Sequence, residues 1–96
     1  MKQKYDLHEF VDVPTRQSVL GALVERVRAR RKERELSQKQ LAVRSGVSYA
    51  SVRRFETEGE ISLSSLLRIA QALDCLQDFG MLFRTKMIVD LKEFQG

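Results

Sequence analysis

The sequence predicts an all-α fold of five helices. Apolar residues recur at helical spacing in several stretches. Ser and Thr stand where helix N-caps belong, and Gly stands where helices end. Ninety-six residues, 43% apolar and 31% charged, make one globular domain too short for two independent cores.

Taken in order, residues 1–14 form an N-terminal arm. Within it YDLHEFVDV alternates loosely, as an edge strand or a flexible arm would. His8 stands alone, with no second ligand of the usual kind nearby, and reads as a solvent-exposed residue. Pro14-Thr15 punctuates the chain, and Thr15 has the character of an N-cap. Val19, Leu20, Leu23, Val24 and Val27 then mark a long amphipathic helix over about 16–34. Its polar face carries Arg26, Arg28, Arg30, Lys32 and Arg34.

A polar link, Glu33-Arg34-Glu35, leads into LSQKQLAVRSGVSYASVRRFET, residues 36–57. Two helices start inside this stretch, about 38–44 and 49–57. Ser37 and Gln40 have capping-box spacing, and Leu36 and Leu41 have the spacing of a hydrophobic staple. Ser48 repeats the cap, with Val47 and Val52 as its staple. Gly46 stands where a chain leaving a helix needs positive φ. Ala42, small and four residues earlier, lets the two helices approach closely. A turn centred on Gly59 comes next. Ser62 caps a fourth helix, about 63–73, with Leu63, Leu66, Leu67, Ala70 and Leu73 as its stripe. A fifth, about 76–83, carries Leu76, Phe79, Leu82 and Phe83, weakened locally by Gly80. The helical domain thus spans 15–84. In the tail, 85–96, TKMIVDL predicts a short strand that pairs either with the N-terminal arm or, as a dimerisation strand, with its copy in a second subunit.

The stretch from Leu36 to Thr57 resembles the helix-turn-helix of Cro/CI-type (XRE-like) regulators, and the likeness runs over roughly Leu20 to Leu73. The family pattern has a Gln opening the first helix, a small residue four further on, a Gly in the turn and a branched apolar residue in the second helix. Here these are Gln38, Ala42, Gly46 and Val52, with Phe55 as a further core position. The resemblance implies a lambda-repressor-like DNA-binding domain. It also implies an ion pair, since Arg31 and Glu56 occupy positions where the family ties its first helix to its recognition helix.

The charge distribution agrees with a nucleic-acid partner. Residues 16–54 hold eleven basic and three acidic side chains, whereas residues 55–96 hold four basic and seven acidic. Basic charge gathered around one structural unit is the footprint of a polyanion binder; standing alone, RARRKER would equally describe a solvated helix face.

An α-helix fits the DNA major groove and meets bases with its first residues. Ser48, Tyr49 and Ala50 are therefore expected to face base edges, with Arg53 and Arg54 one turn on. Arg bonds guanine O6 and N7 in bidentate fashion, and Ala50 suits a thymine methyl. The resemblance places Tyr49, Ala50 and Arg54 where related proteins read bases. Tyr49 departs from the Gln common there, so no operator sequence carries over. Gln38 opens a helix whose amides favour a phosphate, and related proteins use this side chain on the DNA backbone. Lys39, Arg44 and Ser51 are further phosphate candidates. One such helix reads few base pairs, so a homodimer on a palindromic operator is expected, acting as a repressor in keeping with the family's usual output.

Other function classes fare less well. One His, one Cys and no Gly-rich phosphate loop leave no basis for an enzyme, a cofactor or a metal site. No apolar run reaches the roughly 18 residues of a membrane span. The stretch MKQKYDLHEF lacks a signal peptide's apolar core. The single Cys75 forms no internal disulfide, which fits a cytoplasmic setting. An interaction module that has lost DNA is disfavoured by Arg53, Arg54 and the basic balance. The alternative that keeps the fold is a HipB-like antitoxin, which represses its own operon and binds a toxin partner. Its plan of a Cro-like domain plus a C-terminal strand is similar to this chain's.

Overall fold

The computed structural model describes residues 13–86. It contains five helices: α1 (Arg16–Glu33), α2 (Gln38–Ser45), α3 (Tyr49–Glu58), α4 (Leu63–Ala72) and α5 (Leu76–Phe79). No strand occurs among the described residues. Thr85 and Lys86 are not extended into one, and the rest of the strand expected over 85–91 lies outside the described residues, as do residues 1–12 of the N-terminal arm, with His8.

Each of the four longer helices starts on a hydroxyl. The Thr15 hydroxyl accepts from the Ser18 amide at 3.0 Å, and Ser18 returns the bond to the Thr15 amide. Ser37 and Gln40 close the same reciprocal box at 3.0 and 2.8 Å. Ser48 and Ser62 accept from the Ser51 and Ser65 amides, each at 3.0 Å, without a returning side chain. Gly46 ends α2 at φ 77° and Gly59 ends α3 at φ 76°, both left-handed. A Cβ at Gly59 would also meet Leu20 Cδ2 at 2.9 Å, but that is the tip of an exposed side chain that can turn aside, so the left-handed φ is what calls for glycine there.

Two other helices end in the same left-handed conformation without glycine. The Leu36 amide reaches back to the Arg31 carbonyl and the Glu35 amide to Lys32, which is a Schellman turn. Cys75 and Asp74 close α4 likewise onto Ala70 and Gln71. Glu35 and Asp74 therefore sit at φ 58°. For an L-residue this costs about 1–2 kcal/mol, and the cost is met because the turn carries Leu36 into the core. Glu35 is exposed, so Glu35→Gly should raise stability by about 0.5–1 kcal/mol, part of the relief being lost to glycine's freedom in the unfolded chain. Urea denaturation measures it; a loss of stability would show that the Glu35 side chain supports the turn.

The core has two lobes. One joins Leu36, Leu41, Ala42, Val47, Val52, Ile69 and Leu73, so that both staples and the small Ala42 meet α4. The other joins Val24, Phe55 and Leu66. Val27 and Ile61 pack against both lobes. An ion pair between Arg34 and Asp74 at 2.7 Å ties the end of α1 to the end of α4.

The elements depart from expectation in three places. The fifth helix stops at Phe79 rather than 83, and Met81, Leu82 and Phe83 are exposed, with Phe83 itself left-handed at φ 63°. Their apolar side chains find no core to hold them in helical register. In α4 the buried stripe is Leu66, Ile69, Ala70 and Leu73, while Leu63 is 65% exposed. Leu63 opens the helix, before the chain reaches the core, and Ile69 faces the α2–α3 lobe instead. On α1 only Val24 of the apolar stripe is fully buried, and Val19 and Leu20 are exposed.

Candidate nucleic-acid interface

The start of α3 is a solvent-facing surface backed by a rigid seat. Val52 and Phe55 point inward and are fully buried, which fixes the helix's rotation about its own axis. The opposite side then presents Ser48, Tyr49, Ala50, Arg53 and Arg54, all exposed, with Ser51 half-buried. The Ser51 hydroxyl is engaged with that of Ser48 at 2.9 Å.

Tyr49 organises the cations around it. Lys39 Nζ lies over its ring at 5.4 Å from the centroid, and the Arg53 guanidinium at 5.6 Å. Such contacts contribute about 0.5–1 kcal/mol at exposed positions. They bridge the first turn of α2 to α3 through one ring. Arg54 instead pairs with Glu58, Nε to Oε1 at 3.2 Å, with both side chains more than half exposed. An exposed pair one helical turn apart is worth only about 0.3–0.5 kcal/mol, so Arg54 leaves it at little cost. Arg44 is exposed on the last turn of α2.

Behind this surface lies a buried polar cluster centred on Glu56. Arg31 donates Nε to Glu56 Oε2 at 2.8 Å and Nη2 to Oε1 at 2.9 Å, a bidentate pair. Arg31 Nη1 also donates to the Leu36 carbonyl at 2.8 Å. Gln38 donates Nε2 to Glu56 Oε1 at 2.8 Å, so its side chain is turned inward. Burial pushes the Glu56 carboxyl up. The hydrogen bonds from Arg31 and Gln38, with the charges of Arg31 and Arg28, outweigh it and hold the group below its ordinary value of 4.5. Arg28 is the member that sequence reasoning left on the polar face of α1. Its signal was its position three residues before Arg31, on the same side of the helix.

The orphan amides at the start of α2 complete the surface. The capping box occupies the Ser37 and Gln40 amides. Those of Gln38 and Lys39 have no partner in the helix ladder and suit an anion. Among the described residues, no cluster of His, Cys, Asp and Glu is arranged to hold a metal ion. No helix among them is long and apolar enough to cross a membrane.

A compact helix-turn-helix with a seated, outward-facing and cation-flanked second helix defines a DNA-binding module. The family model described as helix-turn-helix (HTH_3) matches residues 27–76, just over half of the chain, from the middle of α1 to the start of α5. The chain belongs to this helix-turn-helix family, of the Cro/CI (XRE) type, and is a DNA-binding transcription regulator. No curated protein and no solved structure matches it.

Proposed function

We propose that this chain is a sequence-specific repressor that binds a palindromic operator as a homodimer. In this reading Ser48, Tyr49, Ala50, Arg53 and Arg54 face base edges. Gln38, Lys39, Arg44 and Ser51 face phosphates. The observation that carries the reading is the exposed, cation-flanked start of α3 on a seat formed by Val52 and Phe55.

The homodimer is supported by an apolar groove of about 440 Å³ between α1, α4 and α5, lined among the described residues by the half-buried Leu23 and Phe79, the edge of the buried Leu66 and the exposed Leu82. Arg26 and Arg30 line it from α1 and Asp78 from α5, so a two-fold copy would set unlike charges opposite each other. The antitoxin alternative depends on a C-terminal strand outside the described residues, and no other feature favours it.

Selection of bound sequences from a random DNA pool tests the reading. Two inverted half-sites with centres roughly 34–36 Å apart are expected, with affinity falling steeply as salt rises. Salt-sensitive binding without an enriched motif would leave only a basic surface. On the selected site, Arg54→Ala should weaken binding by about 1–3 kcal/mol and relax discrimination at one base position. Equal weakening on every sequence would make Arg54 a phosphate contact instead.

A further inference from the structure

One nitrogen in the Glu56 cluster lacks an acceptor. Among the described residues Arg28 Nε is sealed from solvent with no hydrogen-bond partner, and its nearest carboxylate oxygen, Glu56 Oε1, is 3.8 Å away. That oxygen is already taken by Arg31 Nη2 at 2.9 Å and Gln38 Nε2 at 2.8 Å. A carboxylate oxygen offers about two lone-pair sites, so Gln38 and Arg28 compete for one position. Outside the cluster, Arg28 Nη1 lies 3.9 Å from the solvated Glu25, and the side chain as a whole is 38% exposed. The cluster sets one carboxylate against two guanidinium groups, which leaves positive charge beside the start of α2.

We propose that Arg28 is a DNA phosphate ligand that exchanges places with Gln38 on Glu56. The Gln38 amide leaves Oε1 for a phosphodiester oxygen at the start of α2. Arg28 Nε moves onto the vacated lone pair, and its Nη groups, anchored from behind, face the phosphate. The exchange leaves the buried carboxylate fully bonded before and after, and it satisfies a donor that the free protein leaves unmet. The proposal rests on the DNA-binding reading and adds a residue that the reading does not contain.

The test is the salt dependence of binding to a fluorescently labelled mixed-sequence DNA duplex, which needs no operator. Each phosphate neutralised contributes a slope of roughly 0.9 in log K against log salt. Arg28→Gln should lower the slope by about one unit, and Arg28→Lys, which keeps the charge, should largely retain it. Arg68→Gln is the charge-matched control, since Arg68 is exposed on α4 and belongs neither to the reading surface nor to the groove. An Arg28→Gln slope equal to that of the wild type would make Arg28 merely structural and overturn the proposal. A control that lowers the slope as much would do the same. NMR of the unaltered protein needs no folded variant: the Arg28 Nε–H and Gln38 side-chain amide signals should shift together as duplex is added. An unmoved Arg28 signal with a moving Gln38 signal overturns the exchange. A wild-type protein with no salt-dependent binding at all would instead count against the DNA-binding reading itself.

Discussion

Glu56→Ala should destabilise the fold by about 3–5 kcal/mol, the cost of stranding a buried partner charge. Arg31 is buried, and Glu56 accepts two of its donors. With the carboxylate gone, Arg31 keeps only the Leu36 carbonyl, Gln38 loses its acceptor and Arg28 loses its nearest buried counter-charge. A domain of this size has about 5–15 kcal/mol in total, so the variant should sit near the edge of folding at 37 °C. Urea denaturation at neutral pH measures the loss. The penalty belongs to the unpaired charge and not to a large net worth of the pair. Arg31→Met combined with Glu56→Leu should therefore recover most of the stability. A loss below about 1 kcal/mol for Glu56→Ala would mean that water reaches Arg31 freely and the pair is not the anchor of α1 to α3.

The same carboxylate gives the fold a pH dependence of known sign. The folded protein holds Glu56 below its ordinary value of 4.5, so the native state binds the proton less readily than the unfolded chain. The stability this contributes is fully present above about 4.5 and is lost as pH falls through the lowered folded value. The gap between wild type and Glu56→Ala should accordingly narrow on acidification.

The features legible in the sequence were the local ones. The Ser37–Gln40 box, the Ser48 and Ser62 caps and the left-handed Gly46 each depend on a few neighbouring residues, and the helix starts follow from them. The inward face of Val52 follows from its staple with Val47, and that of Phe55 was implied by the resemblance. The resemblance pointed to Arg31 and Glu56, but not to the other donors that share that carboxylate. Gln38 and Arg28 reach Glu56 across 18 and 28 positions of sequence, and only the packing of α2 and α1 against α3 brings them there. The left-handed turns at Glu35 and Asp74 were hidden for a related reason. Their local chemistry argues for glycine, whereas the burial of Leu36 and the partial burial of Cys75 beyond them decide the conformation. The short α5 shows the reverse error, in which apolar spacing over 76–83 suggested a helix that has no core to face.

Phe55→Ala should cost a further large amount, about 3–5 kcal/mol, through the cavity it leaves. Phe55 is the largest fully buried side chain and packs with Val24 of α1 and Leu66 of α4. It is therefore the contact that holds α3 against two other helices at once. For a domain of this length each kcal/mol is about 4–8 °C in melting temperature, so thermal melts followed by circular dichroism resolve the effect easily. The variant also separates the seat of the recognition helix from its reading face. Phe55 touches no solvent, so its loss weakens DNA binding only by lowering the population with α3 in place. Adding a stabilising osmolyte such as TMAO, or working below the melting transition, should restore most of that affinity. The weakening caused by Arg54→Ala should persist under the same conditions, because a missing base contact is not recovered by refolding. If affinity stays lost in a Phe55→Ala protein shown to be folded, then Phe55 sets the detailed pose of α3 in the groove as well as its stability.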